Sequence, residues 1–198
     1  MKSECHITVA EAVLELIQKK HGILLDRENF IYGNTKPDHS ISFFYIRHNI
    51  ESTFDFVMDN IRTLTGMMAN YNVDYEELSF QVGIICHYIT DYFSWAHNSC
   101  FDGGFRKHVM YERTQEKLTP VFLDFVKEKA DVYEEECCTS LPELIRMILK
   151  KHKQYLAEDC RSYMTDFYYA ISSCCEVVLS IFAIADSKAV VTKRAFAV

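Results

Sequence analysis

The chain has 198 residues, enough to bury a core without disulfides or metals to hold it together, so one domain spanning 1–198 is the simplest expectation. Hydrophobic residues make up 49% and charged residues 25%, the balance of a soluble globular protein, and with only Gly 6 and Pro 3 a turn-rich β architecture is disfavoured against an all-α one. A net charge of -7 argues against binding nucleic acid by neutralising phosphates.

Thr8 and Glu11 form a capping box, and Val9, Val13, Leu14 and Ile17 then recur on one face to Lys20, so a first helix is predicted just after His6, closing near His21 at Gly22. Met1–Lys20 is amphipathic with charges throughout, unlike a signal peptide, and the chain is expected to be cytoplasmic unless it is secreted by another route. A short helix from Asp26 to about Tyr32 leads into residues 33–40, whose Gly33, Asn34 and Pro37 predict the most loop-like stretch of the first half, carrying Asp38 and His39. Residues 41–46 are apolar and aromatic; with no partner strand in view, an extended or short helical segment is expected.

Helices follow from about Glu51 to Met67 and from Asp74 to roughly Trp95. Beyond Gly103-Gly104, one further helix carries His108 and Glu112, and Thr119-Pro120 opens another to about Val132. Ser140, Pro142 and Glu143 cap a helix to about Leu156. A last helix near 159–186 contains the apolar run 177–185, which at about half of the ~20 residues needed to span a bilayer reads as a core helix. The C-terminal helices 140–186 would complete the core, Ser187–Val198 would be a frayed tail, and no transmembrane segment is expected. Lys150, Lys151, His152 and Lys153 read as a solvated helix face, and His21 as a solvated helix residue. Most of the eight cysteines read as reduced, small buried apolar groups.

Chemistry concentrates in the middle of the chain. His87 and Asp91 are four apart on one predicted helix face, His108 and Glu112 repeat the spacing, and His97 lies between the pairs. One such pair is an ordinary helix-surface interaction, worth about a few tenths of a kcal/mol. Two pairs plus a further histidine favour a metal site, with a carboxylate such as Asp91 able to bridge two ions.

The order His87-Tyr88-x-x-Asp91, then His97, then His108-x-x-x-Glu112 resembles the zinc-dependent phospholipase C family, which is similar in turn to the S1/P1 nucleases. Gly33-Asn34 to Pro37-Asp38 resembles the family's Gly-Asn-x-x-Pro-Asp segment, His48 stands where a further ligand is expected, and His6 matches the N-terminal histidine. The resemblance implies an all-α bundle with about three zinc ions. Asp38, His48, His87 and Asp91 would hold one, His97, His108 and Glu112 a second, and His6 with bridging Asp91 a third. In the family the N-terminal amine and carbonyl complete that third site, and Met1 lies five residues before His6, the spacing of the nuclease branch.

The implied activity is hydrolysis of a phospholipid or smaller phosphodiester, a metal-held hydroxide attacking phosphorus with Asp91 bridging and Asp38 as a general base, and with transient contact at a membrane surface. Where choline-cleaving members carry an aromatic residue after the motif aspartate, this chain has His39, so headgroup preference does not carry over. Phe43, Phe44, Tyr45, Tyr92, Phe93 and Trp95 read as core rather than as a ligand box. The alternatives are an S1/P1-like single-strand nuclease, which the acidic charge disfavours, and a non-catalytic metal-binding helical protein. The HD-type phosphohydrolases are set aside because the adjacent His-Asp pair is missing.

Overall fold

The computed structural model describes residues 1–39, 48–158 and 162–195. Among these are seven α-helices and no strand: α1 (Ser3–His21), α2 (Arg27–His39), α3 (Ile50–Ala69), α4 (Tyr75–Tyr92), α5 (Phe105–Val132), α6 (Leu141–Ala157) and α7 (Tyr163–Ala195), with a 3-10 turn at Trp95–His97. The expected extended segment 41–46, with Phe43, Phe44 and Tyr45, lies outside the described residues.

Local signals place several ends as the sequence leads one to expect. Gly22 adopts φ +66°, where a side chain would be strained, and its N–H donates to the carbonyl of Gln18 at 3.0 Å, closing α1. Asp74 caps α4 by accepting from the Glu77 N–H at 2.7 Å, and Asn49, which the sequence reading does not single out, caps α3 by accepting from the Ser52 N–H at 3.0 Å.

Elsewhere tertiary contact overrides the local signal. Thr8 is not a cap: its hydroxyl donates to the Glu4 carbonyl at 2.9 Å, so α1 starts at Ser3 and His6 lies inside it. That first turn is tied down by Lys2, which pairs with Glu116 of α5 at 2.5 Å. The stretch around Gly33 and Pro37 is not a loop, and α2 runs through both. The reason is its crossing with α4, the most extensive helix contact in the bundle, where a Cβ on Gly33 would come within 2.2 Å of the Phe80 carbonyl oxygen and one on Gly83 within 2.3 Å of that of Phe30. Two glycines let the backbones touch, and that packing outweighs the poor helix propensity of Gly and Pro. Pro120, likewise, does not open a new helix but lies within α5.

The last helix is a correction as well. α7 begins at Tyr163 and continues to Ala195 where a frayed tail was expected, and Lys188 in its last turns donates to the hydroxyl of Thr65 on α3 at 2.7 Å. Its apolar stretch is longer than the run 177–185: Tyr163–Val190 is long and apolar enough to cross a membrane, yet 78% of its most apolar window is buried inside the bundle. α7 contacts α1, α3, α4, α5 and α6, which makes it the central rod of the core. Ala170, Ile171, Cys174, Val177, Val178 and Ile181 are buried along it.

The basic stretch of α6 is only half solvated. Lys150 and Lys153 face solvent, but Lys151 is buried against Glu176 at 2.5 Å, and buried His152 lies 2.7 Å from Asn98 Oδ1 through Nε2. Each finds a partner on another element, which removes the cost of burying it. Cys5, Cys86, Cys138, Cys174 and Cys175 are buried free thiols, as expected, whereas Cys100 and Cys137 are exposed.

Candidate metal centre

The centre is built around the last two turns of α4, where His87 and Asp91 are fully buried. The Gly33–Gly83 crossing brings the carbonyl of Asn34 to 2.7 Å from His87 Nδ1. That ring nitrogen donates its proton there, so the Nε2 lone pair points inward, the orientation a metal-binding imidazole needs. Around Nε2 stand His48 Nδ1 at 3.0 Å, Asp91 Oδ2 at 3.4 Å and Asp38 Oδ1 at 3.8 Å.

His97 is oriented the same way from the 3-10 turn. Its Nδ1 donates to the carbonyl of His48 at 2.9 Å, which turns Nε2 toward Glu112 Oε1 at 3.2 Å. One turn earlier on α5, His108 Nε2 lies 3.2 Å from the same Glu112 oxygen, as the i,i+4 spacing requires. The main-chain nitrogen of Met1 contacts Asp91 Oδ1 and lies 3.0 Å from His97 Nε2 and 3.6 Å from Glu112 Oε1.

All eight predicted residues, His6, Asp38, His48, His87, Asp91, His97, His108 and Glu112, meet in this one place. Their ligand atoms form three groups, each within 4.8 Å: His6, His87 and Asp91; Asp38, His48 and His87; and His97, His108 and Glu112. The two oxygens of Asp91 face opposite ways. Oδ2 turns to His48 (3.2 Å) and His87 (3.4 Å), and Oδ1 to His6 (3.4 Å) and Met1.

These residues fit metal ions. His6 is fully buried and stacks on His87 with ring centroids 4.1 Å apart, yet neither of its ring nitrogens has a hydrogen-bond partner. A buried imidazole with both nitrogens unsatisfied is costly, and a cation at Nε2 removes the part of the cost that falls on that nitrogen. The donor set of imidazole nitrogens and carboxylate oxygens suits zinc.

Electrostatics hold His87, Asp91 and Glu112 in the forms that can bind a cation. Burial, helped by neighbouring His6, pushes His87 well below the usual histidine range, so its imidazole is neutral. Burial alone would raise Asp91, but His97, the Met1 amine, His6 and His48 outweigh it and hold the carboxyl well below its usual range. Glu112 is lowered in the same way, against burial, by His108 and His97. As a free amine the Met1 nitrogen is pushed up to about 10: burial opposes this, and Asp91, Glu112 and Asp38 overcome it. The carboxylates thus create a strong local demand for positive charge.

Three of the candidate ligands line an open cleft. His48, His97 and His108 line a cleft of about 850 Å³ whose other walls include Asn49, Ser52, Ser99, Phe101 and Phe105. Tyr92 and Phe93 are fully buried core residues, as expected, and Trp95 packs edge-on against Phe101 and Tyr111.

Support behind the ligands is less legible in the sequence. Asp166 of α7 is fully buried and accepts from the hydroxyls of Tyr155 (2.7 Å) and Tyr111 (2.8 Å), the amide of Gln115 (2.9 Å) and the N–H of Trp95 (3.3 Å). It therefore ties the turn that presents His97 to the stretch of α5 that presents His108 and Glu112. Its one sequence signal is a carboxylate set among apolar and aromatic residues in a core helix.

A family model described as zinc dependent phospholipase C matches residues 5–162, which takes in every candidate ligand from His6 to Glu112. No curated protein and no solved structure matches the chain.

Proposed function

Because the chain belongs to the zinc-dependent phospholipase C family, we propose that it is a zinc-dependent phosphodiesterase that cleaves a phospholipid or a smaller phosphodiester in the cleft beside Phe101. The observation that carries the reading is Asp91, a buried carboxylate whose two oxygens serve two different sets of histidines. On this reading Asp38, His48, His87 and Asp91 would hold one zinc, His97, His108 and Glu112 a second, and His6 with Asp91 a third. Bound zinc supplies Lewis-acid polarisation of the phosphoryl oxygens and a water acidified toward neutral pH.

The chain's own groups do the rest. Asn34 and His48 fix the imidazoles of His87 and His97 through their carbonyls, so the ligands need no reorganisation. Asp38 is the most accessible carboxylate of the set, with 21% of its side chain exposed against 14% for Glu112 and none for Asp91, which supports a role for it as the general base toward water. Its Oδ2 accepts from the Ser3 hydroxyl at 3.2 Å, which fixes the carboxyl plane.

Metal analysis of protein purified without added zinc, paired with a panel of phosphodiesters and phosphomonoesters, tests the proposal. Zinc should be present and diesters preferred. Asp91→Asn should lower hydrolysis of an aryl phosphodiester by at least about a hundredfold and reduce bound zinc. Full activity in that variant overturns the reading.

A further inference from the structure

α5 presents two unlike faces. Tyr111, Gln115 and Thr119 are buried at i, i+4 and i+8, and Glu112 points to the metal centre. The solvent side breaks the usual rule for a solvated surface: Phe105, on the same side as Glu112, is 84% exposed and Met110 59%, with Val109 half-buried between them. Arg106, Lys107, Arg113 and Lys117 are exposed along the same stretch. The acids nearby are Asp102, ahead of the helix, Glu51, exposed and lining the cleft, Glu112, which faces the metal centre, and Glu116, which is already paired with Lys2. Apart from Glu112 and Glu116, whose charges are already engaged, cations outnumber acids along this stretch of a chain of net charge -7, a directed feature rather than a general one.

Position gives this face its meaning. Phe105 lies on the wall of the cleft that also holds His48, His97 and His108, so the apolar and basic surface is continuous with the mouth of the candidate active site. Large apolar side chains interleaved with Arg and Lys suit a surface with an apolar interior beneath anionic headgroups, where the rings enter and the cations stay at the phosphate level.

Resting on the phosphodiesterase reading above, we infer that Phe105, Arg106, Val109, Met110 and Arg113 form a docking face for an anionic phospholipid bilayer. The face seats the cleft mouth on the membrane, so a lipid headgroup reaches the centre without leaving the interface.

Cosedimentation with vesicles tests this without any need for turnover. The full chain should bind vesicles of phosphatidylcholine mixed with phosphatidylserine more tightly than vesicles of phosphatidylcholine alone. Replacing both arginines, Arg106→Gln with Arg113→Gln, should weaken that binding about twentyfold, since each basic side chain near an anionic surface is worth about fivefold. Phe105→Ala should weaken it about tenfold more where headgroup charge is held constant. The control pair Lys150→Gln with Lys153→Gln, which removes the same charge from the exposed face of α6, should leave binding unchanged. No vesicle binding by the wild type, an equal loss in the control pair, or displacement from vesicles by single-stranded DNA through this face overturns the inference. Hydrolysis of a soluble aryl phosphodiester is read separately: its absence counts against the phosphodiesterase reading, while sedimentation still decides the docking face.

Discussion

At the scale of single residues, the centre depends on carboxylates whose surroundings differ. Asp91 is held ionised by the cations and imidazoles around it. Asp166, which touches none of the ligands, is pushed by burial up to about 7, although the hydroxyls of Tyr155 and Tyr111 pull the other way. Its folded value lies above the unfolded one near 3.8, so the native chain keeps a proton that the unfolded chain gives up. The contribution of Asp166 to stability is therefore greatest below about pH 4, falls as pH rises, and levels off above about pH 7. Asp166→Asn cannot ionise and can keep most of the hydrogen bonds, so it should remove this slope. The difference in unfolding free energy, wild type minus variant, should decline by up to about 1.4 kcal/mol per pH unit across that window in denaturant titrations. A difference that stays flat with pH would contradict the account.

At the scale of elements, the crossing of α2 over α4 brings Asp38 and Asn34 to His87. A Cβ at Gly83 meets only backbone, with the Phe30 carbonyl oxygen at 2.3 Å and the Gly33 Cα at 3.0 Å, and no flexible side chain is there to yield. Gly83→Ala should push the helices apart and cost about 1–3 kcal/mol, as overpacked cores do. It should also weaken zinc held by Asp38, His48 and His87 more than zinc held by His97, His108 and Glu112, because the second set rides on the turn and α5. Gly66→Ala is the matched control: nothing lies within 4 Å of its Cβ, and removing a helical glycine should stabilise α3 by about 0.5–1 kcal/mol. Thermal melts with metal titrations read both effects. An undisturbed Asp38 set in Gly83→Ala would mean that the crossing does not position the ligands.

At the scale of the whole molecule, the core and the centre are separable. α7 is buried among five other helices and supplies an apolar spine that needs no metal. The centre, by contrast, buries His6 without a hydrogen bond and crowds carboxylates that call for cations. Chelation should therefore leave the helical circular dichroism largely intact while lowering the melting temperature, and added zinc should restore it. At a hundredfold excess over its dissociation constant, one bound ion contributes about 2.7 kcal/mol. Unfolding on chelation, as in a zinc finger, would show that the metals hold the fold together.

The sequence by itself determined the helical class and singled out the residues that the fold brings together as candidate ligands. Helical period alone places His87 with Asp91 and His108 with Glu112 on shared faces, and low Gly and Pro content leaves little room for β structure. It misplaced the start of α1, broke α2 and α5 at Gly33, Pro37 and Pro120, stopped α7 short, and put Lys151 and His152 in solvent. At Gly33 and Pro37 a local propensity worth about 1–3 kcal/mol was overruled by the crossing with α4, and Lys151 and His152 are buried because Glu176 and Asn98 supply partners from elsewhere in the chain. Only the tertiary structure decided that Asp91 turns its two oxygens to different histidines, that Asn34 and His48 orient the ligands through backbone carbonyls, and that Asp166 braces the turn carrying His97. Those contacts join residues far apart in the chain, and no periodicity along a single helix encodes them.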